Sequence, residues 1–494
     1  MNGWKAGIGA VAVAGATVLV TAVPAAVEDA TVNTRTMRQI FVDDHVIASM
    51  RGLSRVFHSP RRHPDNPILV GDRPWENWVI EVNGRPIVYD EQTAELRVYY
   101  VAPQMDPSAP AGERFRTCLA ISRNGLRWQR QNLGQVEWEG SRDNNILRPG
   151  ENWMRRPNVI LDSTDPDPMR RYKMTFVDWI GDKTEGKTAI VKAYSRDGIE
   201  WTLNGDGRPW FRHLHSSNLL GWDPRIRKYV IYSRMAGPGN SIGRATSDDF
   251  VTWSEPELVI APGPADQGRD FKGIAAFLYE GMYLGFLWVF DHKKSAEAKL
   301  VYSRDGIAWK RASPRRYYFP RGAGDAWDSR MVLQVAPVVF NNRIWVYYSG
   351  WNLPYSQAAL ARAHQGWFEN GRRMQRAIGV ATLRLDGFAS LDAGAKEGVL
   401  VTKALHGQGG SLIVNADVRG ELRVEVLDDG GTVLPGYGRE ECDPIRSDST
   451  HHTVRWKSGA RLDRFAGKAI TLRFYLREGR VYSFAFSGSD RRQR

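Results

Sequence analysis

Four segments of this chain read alike, and that repeat limits the possible fold more than any other feature of the sequence. They are Ser122–Trp128, Ser195–Trp201, Thr246–Trp253 and Ser303–Trp309, with a worn fifth copy at Ala381–Phe388. A recurring period of this kind marks an array of one supersecondary unit. Each copy follows an alternating strand such as Thr117-Cys118-Leu119-Ala120-Ile121. Outside Thr246–Trp253 an Asn-Gly or Asp-Gly pair supplies the positive φ of a tight turn, and the Trp that closes the four alike copies fills the apolar layer between neighbours. Upstream of each copy lies a hairpin: Pro86–Asp90 with Leu96–Tyr100, Val159–Asp162 with Tyr172–Phe176, Leu219–Asp223 with Tyr229–Tyr232, Ala276–Tyr279 with Tyr283–Phe286, and Val338–Asn341 with Ile344–Tyr348. Five hairpins interleaved with five third-strand motifs predict an all-β fold whose body is a five-bladed β-propeller over residues 36–392. No helical period of useful length competes.

The repeat stops near Leu391. Strand-like runs then follow at Ser411–Asn415, Leu422–Leu427, Thr453–Trp456, Ile470–Tyr475 and Val481–Phe486, predicting a C-terminal β-sandwich over residues 396–488. It holds no cluster of acids or histidines, so it reads as structural, with an accessory sugar-binding role as the alternative.

Residues 1–26 read as a signal peptide: Lys5, an apolar run from Ala6 to Val23, then Pro24-Ala25-Ala26 with the cut near Ala25. A retained anchor helix is the rival, because the run approaches the ~18–20 apolar residues that span a membrane. Cleavage predicts an exported chain, periplasmic or extracellular, with no later segment able to span. The two cysteines, Cys118 and Cys442, make neither a disulfide framework nor a metal spacing and read as core thiols. No cofactor and no metal are expected. The formal charge of +13, spread along the chain, suits an anionic partner or is mere composition bias. An acidic glycan fits better than nucleic acid, since no long basic block occurs.

In a propeller the first strand of each blade faces the central channel, and ligands bind at its mouth. The residues just before each first strand are therefore the site candidates. Blade 1 offers Trp75, Glu76, Trp78 and Glu81; blade 2 offers Trp153, Arg155 and Arg156; blade 3 offers His213, His215 and Asn218. Blade 4 offers Asp266, Arg269, Asp270 and Lys272, and blade 5 offers Asp325, Trp327, Asp328 and Arg330. Glu81 stands nine positions before the turn residue Asp90, and Asp270 ten before Glu280, so both should occupy similar places on different blades. Two carboxyl groups cleave a glycosidic bond, one protonating the leaving oxygen and the other attacking or activating water. Glu81 and Asp270 are the expected catalytic pair, with Asp328 and Glu76 in reserve. Trp75, Trp78 and Trp327 would stack on sugar faces. Arg155, Arg156, Arg269, Lys272 and Arg330 would bind anionic substituents, and His213, His215 and Asn218 would complete the wall. Taken singly, each acid has a bland reading as a turn cap or salt-bridge partner; only the convergence raises the set.

Five blades followed by a sandwich resembles the glycoside hydrolase superfamily of families 32, 43, 68 and 117, closest in layout to family 32. That family carries its nucleophile in a blade 1 motif Trp-x-x-Asp-x-Asn-Gly. Trp78-Val79-Ile80-Glu81-Val82-Asn83-Gly84 is similar to it, with Glu in place of Asp. The family's Arg-Asp-Pro motif is echoed by Arg155-Arg156-Pro157, where the carboxylate has become Arg156, and its Glu-Cys motif has no counterpart. The resemblance implies a secreted glycoside hydrolase with Glu81 as nucleophile or base. The change to Arg156 argues against plain fructan cleavage and suits a sulfate or carboxylate on the sugar. A non-catalytic glycan-binding propeller is the alternative. A sialidase-like enzyme is a further one, because Ser195–Trp201 resembles an Asp-box and Arg156, Arg269 and Arg330 could hold a carboxylate. A polysaccharide lyase is a fourth.

Overall fold

In the computed structural model the chain is described at residues 31–32, 37–76, 78–103, 115–148, 154–179, 188–204, 210–212, 217–235, 240–266, 268–291, 295–313, 317–353, 368–369, 372–406, 409–459 and 461–487. Strands dominate, and the helices among these residues are short 3-10 turns. The fold is a β-propeller followed by a β-sandwich.

Antiparallel units follow one another along the propeller, each beginning with an edge strand. The first is Ile87–Asp90, Glu95–Pro103, Phe115–Ser122 and Ile146–Leu147, with Glu81 extending the edge through a bridge to Val101. The second runs Arg155–Leu161, Tyr172–Trp179 and Thr188–Ser195, the last pairing with both Thr202–Leu203 and Trp210–Arg212. Ser217–Asp223, Lys228–Met235, Ser241–Ser247 and Glu257–Ile260 make the third. Asp270–Tyr279, Met282–Asp291, Ser295–Ser303 and Lys310–Arg311 make the fourth. The last has a broken edge, Met331–Gln334 then Val338–Phe340, followed by Arg343–Trp351 and Arg376–Arg384. Its outer strand comes from the N-terminal side: Arg61 and Arg62 pair with Thr382 and Ala381. A strand from before the first unit, added to the final blade, closes the ring without a covalent link.

The repeated turn explains how neighbouring units lock. In Ser195–Trp201 the Ser195 hydroxyl accepts the Gly198 N–H at 2.8 Å, and Asp197 accepts the N–H groups of Ile199 and Glu200, both at 2.9 Å. That leaves the Gly198 carbonyl facing the preceding blade, where Tyr99 donates to it at 2.9 Å. Gly198 must be glycine: its φ is +77°, and a Cβ would meet the Tyr99 hydroxyl at 2.6 Å. Tyr232 donates to the Gly306 carbonyl at 2.8 Å in the same way, and Tyr347 of the last unit reaches Gly125 of the first at 3.0 Å. Trp201 packs edge-on against Tyr99 and Tyr172, so the motif Trp fills the layer between blades.

A second staple joins the far end of each of the first three edge strands to the next blade. Asp90 accepts from Arg171 at 2.9 and 2.5 Å and from the Tyr172 hydroxyl; Asp162 accepts from Lys173 at 2.7 Å and from Tyr229 at 2.5 Å; Asp223 accepts from Tyr283. Burial alone would raise the Asp90 pKa, but the hydrogen bonds from Arg171, Tyr172 and the Gln92 N–H, with the Arg171 charge, hold it at about 2, below its ordinary 3.8. A depressed carboxylate stabilises the fold above its unfolded pKa, and this contribution is lost as pH falls through the folded value. The propeller is therefore expected to lose stability between about pH 4 and pH 2. Asp90→Asn should be less stable than wild type at neutral pH and show a shallower acid transition, followed by circular dichroism. Equal acid profiles would remove this staple from the account.

The sandwich differs from its expected boundaries. Gln39–Ile40, Ile47–Arg51 and Ser54–Phe57 pair with Ala469–Phe486, Gly398–Thr402 and Ala389–Ala393, so residues expected to open the propeller belong to the C-terminal sheet. Phe41, Val46 and Ile47 are buried in its core beside Leu412, Val424 and Phe474, which explains the placement. Asp386, in the worn fifth copy of the repeat, joins the two bodies. It takes hydrogen bonds from Arg38, from Tyr279 at 2.7 Å and from Ser483 at 2.6 Å. Cys118 and Cys442 are buried free thiols.

Candidate active site

Edge strands of this propeller run with their N-terminal ends at one mouth, so strand polarity alone collects the site candidates there. Glu81 stands at that end of the first unit. Its backbone exchanges both bonds with Val101 at 2.8 Å, and the residue is only 6% exposed. Arg376, at the start of a third strand in the last unit, donates to Glu81 Oε2 at 2.6 Å. The guanidinium lies 3.5 Å over the ring of Trp351, which ends the neighbouring second strand. The ion pair thus has a dry aromatic wall behind it. Trp78 sits nearby with a φ of +63°, its carbonyl accepting the Arg376 N–H at 3.3 Å and its ring covered by Arg373 at 4.1 Å. A non-glycine residue in that region is strained and persists only where its surroundings fix it.

Gly84 closes the same motif. Its carbonyl accepts the Ala336 N–H at 2.9 Å. A Cβ there would lie 2.1 Å from Asn158 Oδ1 and 2.8 Å from the Ser217 carbonyl. Four edge strands therefore meet at one glycine, which forms a floor three residues below Glu81.

Asp270 begins the fourth edge strand and is half-buried, its carboxylate accepting from Asn240 at 3.3 Å. Lys272 lies 4.0 Å over Phe290, and Arg269 reaches Asp291 at 3.4 Å. At the second unit Arg155 stacks over Phe115 at 4.6 Å. Arg156, at a bulge with φ +54°, has a guanidinium with no ion pair or hydrogen bond among the described residues. Arg330 precedes the last edge strand, exposed and likewise unpaired, while its N–H holds the Trp351 carbonyl at 2.8 Å. Trp78, Glu81, Arg155, Arg156, Arg269, Asp270, Lys272 and Arg330 thus share one end of the ring.

Other expected members are structural. Both Glu76 oxygens are taken by Arg130, at 2.7 and 2.8 Å, and by the Tyr100 hydroxyl, and the residue is fully buried; no lone pair faces a channel. Trp75 donates to Asn145 at 2.8 Å within the same unit. Asp328, 2% exposed, pairs with Arg62 at 2.8 Å and so anchors the ring-closing strand. Trp327 stacks on Tyr348 at 5.6 Å, filling space that Gly350 and Gly379 leave open. Asn218 is 1% exposed and bridges to the Ala276 N–H at 2.8 Å, a join between edge strands rather than part of the mouth. His213, His215 and Trp153 lie outside the described residues.

Arg376, Trp351 and Arg373 escape a reading confined to first strands. Second strands end, and third strands begin, at the same mouth, and that polarity was the available signal.

No protein-family model matches this sequence, and no curated protein matches it. Solved structures are similar to it over about two thirds of its length. One named "Glycoside hydrolase" is 14% identical, covers 66% of this chain and 92% of its own, and gives a TM-score of 0.47. A glycosyl hydrolase from Bacteroides ovatus is 16% identical, covers 67% of this chain and 94% of its own, and gives 0.44. A β-1,2-mannobiose phosphorylase from Listeria innocua is 10% identical, covers 66% of this chain and 97% of its own, and also gives 0.44.

Proposed function

We propose that this chain is a five-bladed propeller enzyme acting on an anionic glycan by hydrolysis, with Glu81 and Asp270 as its working carboxylates and export as its route to substrate. One observation carries this reading: two acids that share no partner stand at the mouth ends of separate edge strands, one buried and ion-paired, the other half-buried. Their environments differ, as two carboxyl groups with different tasks require. Glu81, bonded to Arg376, is suited to accept a proton or attack carbon. Asp270, whose carboxylate is bonded by the Asn240 amide and by no cation among the described residues, is assigned as its partner in acid/base work. Trp78 has one ring face covered by Arg373, and its other face is the one assigned to a sugar. Arg156 and Arg330 are cations at the mouth without counterions among the described residues, and each could grip a sulfate or carboxylate through two parallel N–H bonds.

Digestion of a panel of neutral, uronic and sulfated glycans, with product analysis, tests this. Anionic glycans should be cleaved, with kcat/KM falling steeply as salt screens the mouth. Arg156→Ala should raise KM on the anionic substrate at least about tenfold, the loss expected for a charged hydrogen bond. Binding without any product would instead make the chain a glycan-binding propeller. Neutral glycans cleaved equally at low and high salt would remove the anionic part of the reading.

A further inference from the structure

Below the floor at Gly84 the ring contains a cation that no carboxylate of the described residues answers. Arg85 is the next residue, in the bend that leads into the first edge strand at Ile87. Its backbone N–H is held by Asn158 Oδ1 at 2.8 Å, and its carbonyl by the Val159 N–H at 2.8 Å. Its guanidinium donates to the Leu220 carbonyl at 2.9 Å. Leu220 belongs to the third unit, whereas Arg85 belongs to the first. A side chain joining units that are not neighbours in the ring must cross the central axis.

No ion pair to Arg85 exists among the described residues, and its one side-chain partner is that neutral carbonyl. It is nevertheless half-buried rather than sealed, so a water-sized space touches it. Loss of hydration lowers its pKa to about 10, which still leaves it charged in neutral solution. Asn218, two residues before Leu220 and 1% exposed, has an Nδ2 with no hydrogen-bond partner. Among such buried atoms on the edge strands, Asn218 leaves a donor and Gln334 leaves both a donor, Nε2, and an acceptor, Oε1, and none of them carries a negative charge to answer Arg85. An enclosed charge is costly unless paired, and arginine cannot escape by losing its proton.

We propose that a halide-sized inorganic anion occupies the central channel below Gly84, held by the Arg85 guanidinium. The backbone junction at Gly84 separates this place from the mouth, so a small ion rather than a substituent of the glycan is the fitting occupant. The ion neutralises the axis and ties the first, second and third units together.

Crystals of the full chain soaked in sodium bromide test this by anomalous scattering. A bromine peak within hydrogen-bond distance of Arg85, absent in Arg85→Met, is the expected result. In solution, chloride should raise the melting temperature of wild type by several degrees over sodium gluconate at equal ionic strength, and this difference should vanish in Arg85→Met. A wild-type channel holding only water in bromide, or a peak that persists in the variant, overturns the proposal. If Arg85→Met does not fold, the wild-type bromide map and the chloride–gluconate comparison decide alone. None of these readouts uses a glycan, so they stand or fall separately from the proposed activity.

Discussion

Glu81→Gln is expected to lower turnover on a glycan that the wild type cleaves by at least about a hundredfold, the usual scale for loss of a general acid or base and a lower bound for a nucleophile. The substitution keeps the shape of the side chain and removes its charge. Its complication is structural, since Arg376 would lose a partner 2.6 Å away in a site where both side chains are under a tenth exposed. Breaking a buried pair by removing one member costs about 3–5 kcal/mol. Both a catalytic and a purely structural Glu81 therefore predict a less stable variant, and stability alone cannot separate them. Small-molecule rescue can. In Glu81→Ala, which opens space beside the reacting carbon, azide or formate should restore measurable turnover if the carboxylate is a nucleophile or base. A folded variant with wild-type turnover would remove Glu81 from the mechanism. One whose lost activity follows only its unfolded fraction, and which no added anion rescues, would reduce it to a support for Arg376.

Gly84→Ala should be among the most damaging single-methyl changes in the propeller. A Cβ at this position overlaps Asn158 Oδ1 at 2.1 Å and crowds the Ser217 carbonyl at 2.8 Å. Asn158 cannot simply swing away, because it holds the Arg85 N–H at 2.8 Å and donates to the Ser217 carbonyl at 3.2 Å. The φ of +67° adds a penalty of its own for any residue with a Cβ. Left-handed backbone costs roughly 1–2 kcal/mol and overpacking about 1–3 kcal/mol, so a loss of roughly 2–5 kcal/mol is expected. Urea denaturation would read it as a lower midpoint. Gly134, whose φ is +66° with nothing within 4 Å of a built Cβ, supplies the control. Gly134→Ala should lose only the backbone part. If both variants unfold at the same midpoint, edge-strand crowding at Gly84 is not a determinant of the fold.

These two residues lie within one seven-residue motif, Trp78 to Gly84, that joins the mouth to the axis. Position, rather than residue type alone, gives the motif its roles. Trp78 and Gly84 both adopt positive φ, and the turns they make aim Glu81 towards Arg376 and bring the backbone against three other edge strands.

What the sequence determined by itself was local. Turn chemistry in Ser195–Trp201 and its copies, and period-two alternation in the strands before them, depend on neighbours a few residues away, and they specify the repeated all-β unit. Strand polarity then places Glu81, Arg156 and Asp270 at one mouth, because each opens or adjoins an edge strand. Partnerships across the ring were decided only in three dimensions. Arg376 meets Glu81 across 295 positions of sequence, and Arg62 meets Asp328 across 266. Nothing local distinguishes Asp328 or Glu76 from Asp270, since all three are acids beside aromatic residues near a first strand. Ring closure by Arg61 and Arg62 brings a guanidinium to Asp328, and the fold of the first unit brings Arg130 to Glu76, while among the described residues Asp270 receives an amide and no cation. Residues 39–57 joined the C-terminal sheet for the same reason: their apolar faces are satisfied by whichever strands closure presents, and Phe41, Val46 and Ile47 found theirs in the sandwich core.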